Sequence, residues 1–158
     1  MTRSGSSQRG FTLLELLVTM AIISMLAMVA LPNYQDYMIR AKVAEDFSTA
    51  SKIQRLVEEY YMVNGVMPEK NAQLGLGKEK TITGNWLEKV KIETKPMPGT
   101  IKLHYDHKVA LPQLGKQSEI KFVPEVVNGR VVWECKSGSM YDKYRPAICR
   151  GESKYDDG

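Results

Sequence analysis

Few residues in this chain have the type and setting to do chemistry. One is Glu15, a lone carboxylate in the run Leu13 to Leu31, where only Thr19 and Ser24 are otherwise not plainly apolar. A carboxylate in such a run costs about 2.5–3.5 kcal/mol to bury in a membrane, so it is normally paired or functional. Near the other end stand the only two cysteines, Cys135 and Cys149. The segment His104-Tyr105-Asp106-His107 is the one cluster with metal-ligating side chains. Residues three apart at a strand end point to opposite sides, and the chain has no third histidine. No metal and no cofactor are therefore expected. Nucleophile elbow, phosphate loop and paired acid–base residues are all missing from the sequence, which points away from an enzyme.

The elements that must position these residues divide sharply. Composition is ordinary for a 158-residue chain, 43% hydrophobic and 25% charged, but the apolar residues concentrate near the N-terminus. Nineteen residues from Leu13 to Leu31, at about 1.5 Å rise, cover nearly the ~30 Å core of a bilayer. Arg3 and Arg9 precede the run and no acid occurs before Phe11. By the positive-inside rule that flank stays cytoplasmic and the C-terminal part crosses the membrane. Net charge is +4, and +2 without Arg3 and Arg9, which is too mild to imply nucleic-acid binding by itself. Both cysteines then lie on the exported side, where they read most simply as one disulfide in an oxidising compartment such as a bacterial periplasm; two free thiols are the alternative.

A secretory signal peptide would be cut behind small residues after the apolar run. Ala27 to Ala30 makes only a weak site of that kind, and the sharper feature precedes the run: Gln8-Arg9-Gly10-Phe11-Thr12-Leu13-Leu14-Glu15. A basic stub ends in Gly, Phe opens the apolar segment, and a carboxylate follows five residues after the Gly. This resembles the class III leader of type IV pilins and of the type II secretion pseudopilins. The resemblance implies cleavage of Gly10–Phe11 by a prepilin peptidase and methylation of the new amine on Phe11. It implies that Glu15 of one subunit meets the Phe11 amine of its neighbour inside a filament. Charge neutralisation in an apolar core would reward one register of stacking. The blander alternative for Glu15 is a place near the cytoplasmic end, reaching headgroup water. Pro32 interrupts a helix by removing a backbone bond; the resemblance adds local melting of Met25 to Leu31 on assembly.

A helix is predicted from Phe11 to about Val63. Its second half carries Val43, Phe47, Ala50, Ile53, Val57 and Tyr60 at spacings of three and four, with Lys42, Glu45, Thr49, Lys52, Arg55 and Glu59 on the other side. Asn64-Gly65 supplies the stop. Residues 66–84 read as a surface connection. Strands are predicted at Trp86–Glu93, Thr100–Tyr105, Glu119–Val127 and Arg130–Lys136, the last two around the hairpin signal Asn128-Gly129. A two-residue turn pairs Val127 with Arg130, Val126 with Val131, Pro124 with Trp133 and Phe122 with Cys135. Pro124 predicts a bulge or interruption toward the preceding strand. The loop from Lys136 to Arg150, with few large apolar residues, is expected to depend on the Cys135–Cys149 bond, and Trp133-Glu134-Cys135 and Arg145-Pro146-Ala147-Ile148-Cys149-Arg150 resemble the disulfide region of type IV pilins.

The expected fold is α+β: a long N-terminal helix, half membrane span or filament core and half amphipathic, packed on a four-stranded antiparallel sheet with a C-terminal disulfide loop. The expected organisation is a leader at 1–10, a membrane and filament-core helix at 11–31, and a surface head at 32–158. The resemblance implies a structural subunit of a type IV pilus, serving adhesion, twitching motility and DNA uptake. It would be held in the inner membrane before assembly and displayed in the extracellular filament afterwards. The implied partners are further copies of the chain, the prepilin peptidase, the pilus assembly machinery, and host-surface or DNA contacts through the head. A minor pilin or DNA-uptake receptor, using Lys136, Lys143, Arg145 and Arg150 toward phosphate, is one alternative, although Asp142 interrupts that group. A secretion pseudopilin is the other, disfavoured because its major forms usually replace the disulfide loop with calcium.

Overall fold

A computed structural model describes residues 11–78, 84–108 and 111–152. The leader, including Gly10, lies outside them. The chain divides into two compact units, one through Gln35 and one from Asp36 onward. The described part of the first unit is helical from Leu13 and belongs to α1 (Leu13–Glu45), which passes through Pro32 without ending there. Its apolar side chains are bare: Leu14 is 72% and Val29 68% exposed. By length and composition this helix is apolar enough to cross a membrane.

The predicted long helix is present, with a one-residue interruption at Asp46. α1 ends at Glu45 and α2 (Phe47–Asn64) follows, with Asp46 between them. The break is fixed by contacts about forty residues away. The Asp46 carboxylate, 3% exposed, accepts hydrogen bonds from the backbone N–H groups of Asn85 and Trp86, each at 2.9 Å. Glu45 accepts from Trp86 Nε1 at 2.7 Å and from the Asn85 side-chain amide. Gly84 lies against Asp46, and a Cβ there would collide with its carboxylate, so the approach requires glycine. α2 closes as expected, Gly65 in the left-handed conformation donating its N–H to the Tyr61 carbonyl at 2.8 Å.

The sheet contains β1 (Leu87–Glu93), β2 (Thr100–Tyr105), β3 (Glu119–Val127) and β4 (Arg130–Ser137), antiparallel and in that spatial order. Each predicted strand is present to within one residue at either end. Ala50, Ile53 and Val57 of α2 and Val43 of α1 bury with Val90, Ile92, Ile101, Leu103, Ile120 and Phe122 of the sheet. Phe47 meets Phe122 edge to face at 5.2 Å. Tyr105, fully buried, donates its hydroxyl to the Val43 carbonyl at 2.9 Å. That carbonyl belongs to the last turn of α1, where a helix leaves its acceptors unpaired.

The β3–β4 register agrees with the turn from Val127↔Arg130 to Val123↔Glu134, then departs from it. Lys121 pairs with Ser137, so β4 carries one extra residue and the expected Phe122↔Cys135 pair does not form. The pairing of β2 with β3 stops at Ile101↔Phe122, short of Pro124. The ladder on that side is thus interrupted as expected, while the bulge itself lies on the β4 side. A second bulge, at Glu88, separates Leu87↔Tyr105 from Lys89↔His104.

Candidate functional site: the apolar helix start and the disulfide-closed loop

At the start of α1, Thr12 acts as the cap: its Oγ1 accepts the Glu15 backbone N–H at 3.3 Å, and its carbonyl accepts the Leu16 N–H at 3.2 Å. The pattern Thr-x-x-Glu is a capping signature, so this role of Thr12 could have been read in the sequence and was missed. The other polar groups of the run look after themselves. Thr19 donates to the Leu16 carbonyl and Ser24 to the Met20 carbonyl, both at 2.8 Å. The Glu15 carboxylate has no partner among the described residues. Phe11 is 79% exposed. Just after Pro32, Asn33 donates its side-chain amide to the Val29 carbonyl at 3.2 Å.

At the other end, Cys135 of β4 and Cys149 are joined by a disulfide across a sequence separation of 14. The bond, expected to hold much of the loop's shape, shares that task with Arg145. Its guanidinium, in a residue 6% exposed, donates to the carbonyls of Met140 and Gly138, each at 2.7 Å, and to that of Lys136. Asp142 lies 3.6 Å away on its charged side. Arg150 in turn donates to the Arg145 carbonyl at 2.9 Å. Met140 and Tyr144 are buried, and Met140 donates its N–H to the Glu119 carbonyl at 3.0 Å. Gly138, at φ +121°, lets the loop pass so close that a Cβ would stand 2.5 Å from that carbonyl. An arginine with these three acceptors could not have been told from a surface arginine by sequence.

The basic residues weighed for phosphate are partly engaged elsewhere. Arg145 is spent inside the loop, Arg150 is half-buried against it, and Lys143 lies 3.9 Å from Asp36 and over the Tyr144 ring. The histidine expectation needs the opposite correction. The chain leaves β2 at Tyr105 and turns, Asp106 accepting the Lys108 N–H at 2.9 Å. This turn brings the His107 ring to 5.7 Å from that of His104 instead of sending it to the other face.

Comparison with known proteins agrees with this architecture. Residues 39–150 match the pilin family of bacterial filaments, and residues 5–31 match the prokaryotic N-terminal methylation motif. The chain is 37% identical to the fimbrial protein EcpC of Eikenella corrodens over 144 residues, 90% of this chain and 91% of that one. It is 40% identical over 94 residues to the type IV major pilin protein PilE of Neisseria gonorrhoeae, covering 60% of this chain and 56% of PilE. A fimbrial protein of Pseudomonas aeruginosa is 28% identical over 157 residues, 90% and 97% of the two chains. Membership of a filament family accounts for the bare apolar helix, the lone carboxylate and the absence of enzyme motifs together: this chain belongs to the type IV pilin family, as a structural subunit of a pilus and not an enzyme.

Proposed function

We propose that the chain is made as a precursor whose leader, residues 1–10, is removed at Gly10–Phe11 and whose new Phe11 amine is methylated. The observation that carries this reading is the exposure of the large apolar side chains of α1 from Leu13 to Leu31, with a single carboxylate, unpartnered among the described residues, near its start. Sixteen apolar positions left in water would cost far more than a small domain's stability, at about 25 cal/mol per Å². They must be covered, first by the inner membrane with the leader in the cytoplasm, then by other copies of the helix. Glu15 is then the group that pairs with the Phe11 amine of a neighbouring subunit. Pro32 is where the helix can loosen on assembly, because proline supplies no N–H to the turn before it.

The head, residues 32–158, faces the medium in this reading, and adhesion, twitching motility and DNA uptake are the activities the filament would serve. The engagement of Arg145 inside the loop weighs against a DNA receptor, and the disulfide loop supports a pilin over a secretion pseudopilin. Shearing filaments from cells and measuring intact mass tests the proposal. The expected result is a dominant species that begins at methylated Phe11. A subunit retaining Met1 to Gly10, or a chain scarce in the sheared fraction, would overturn it.

A further inference from the structure

We propose that Glu88, His104 and His107 form a binding site for zinc or a similar divalent transition ion on the head. The three donors lie within 4.8 Å of one another, one from each of three neighbouring stretches of chain. Glu88 is the residue at the β1 bulge, a feature that re-aims a side chain out of the regular pleat. His104 stands opposite on β2, its Nε2 3.3 Å from Glu88 Oε2. Two ligands of a tetrahedral zinc ion, at about 2.0–2.1 Å from the metal, stand roughly 3.3–3.4 Å apart. His107 arrives from the turn after β2.

The surroundings also suit a metal. A ligating imidazole is commonly oriented through its other ring nitrogen by an oxygen acceptor, most often a carboxylate, backbone carbonyl or water. His104 Nδ1 lies 3.2 Å from Glu119 Oε1, which leaves Nε2 toward Glu88. Glu119 is itself steadied by Lys102 at 2.9 Å. His107 Nδ1 lies 3.4 Å from Ser118 Oγ, which leaves its Nε2 for an ion. Two imidazoles and one carboxylate are a donor set suited to zinc, with a fourth position open to water. Closing the set requires the His107 ring and the Glu88 side chain, 35% exposed, to move by an ångström or so. These are the chain's only two histidines, so imidazole ligation can occur nowhere else on it.

The test uses untagged protein extracted from filaments in detergent and stripped with a chelator. Titration with zinc against a chromophoric competitor should show one equivalent bound per chain, and zinc should raise the melting midpoint. His107→Gln and Glu88→Gln should each weaken binding at least tenfold and abolish that rise, whereas Lys108→Gln should bind like the parent. Glu88→Gln preserves shape at a partly exposed position, and metal-free melting should match the parent. Failure of the parent to bind zinc, or binding by both ligand variants as tight as the parent's, would overturn the site.

Discussion

In the proposed assembly, Glu15 is the residue on which membrane and filament make opposite demands. Its side chain adds cost in the bilayer, while its backbone N–H is already satisfied by Thr12. Replacing the side chain therefore leaves the helix start intact and isolates the carboxylate. Glu15→Val should insert as well as the parent, or better, because about 2.5–3.5 kcal/mol of insertion cost disappears. It should nevertheless assemble poorly, having lost the partner of the Phe11 amine. Comparing membrane-held and sheared subunit, with the variant as the only copy, measures both effects. Filaments in normal amounts would end the pairing role. Thr19 and Ser24, whose hydroxyls return to helix carbonyls, carry no comparable expectation.

At the scale of elements, the break between α1 and α2 organises the head. Asp46→Ala would leave two backbone N–H groups, those of Asn85 and Trp86, without their acceptor, a loss of about 1–3 kcal/mol and several degrees of melting temperature. Burial pushes the Asp46 carboxyl above its ordinary range, against the pull of those two N–H groups. Burial, and then the charge of Asp46, also pushes the Tyr105 hydroxyl well above the usual tyrosine range. A tyrosine raised in the folded state keeps its proton after the unfolded chain has lost it. Its contribution is thus complete below the unfolded value, about 10, and fades as pH rises toward the folded one. Melts of the head should accordingly fall between pH 9 and pH 11, and Tyr105→Phe should flatten that decline. The same variant should cost roughly 1 kcal/mol at neutral pH, since the Val43 carbonyl loses its donor. A pH dependence equal to the parent's would refute the assignment. This break was illegible in the sequence: Asp46 sits in an unbroken three-and-four pattern, and its partners are distant in the chain. By contrast the hairpin was legible, because Asn128-Gly129 and the alternation on both strands demand one register near the turn. The bulge beyond Glu134 was not legible, because Glu134-Cys135-Lys136 still alternates there.

For the whole molecule the question is how a four-stranded sheet with two open edges remains stable and soluble. Edge strands offer unpaired backbone groups, and proteins cover them. On β1 the cover is Asn71, whose side chain donates to the Val90 carbonyl at 3.0 Å and accepts the Ile92 N–H at 2.7 Å. Beside β4 the cover is the loop closed by Cys135 and Cys149, pinned by Arg145. The need for a disulfide could be read from two cysteines on the exported side, but the share taken by Arg145 could not, since its acceptors are backbone carbonyls. Closing a loop of about 15 residues should contribute about 3 kcal/mol by restricting the denatured chain. Reduction of the head should therefore lower its melting temperature by several degrees; a shift below about two degrees would show the contribution to be wrong. Arg145→Ala strands three carbonyls in the oxidised loop, and each uncompensated buried group costs about 1–3 kcal/mol. Once the bond is reduced the loop can open and those carbonyls reach water. The two perturbations should then be less than additive, by an interaction of at least 0.5 kcal/mol, as expected for neighbours acting on one segment. Melts of the parent and of Arg145→Ala, each oxidised and reduced, give the four corners of that cycle. Full additivity would mean that the bond and the arginine hold separate parts of the head.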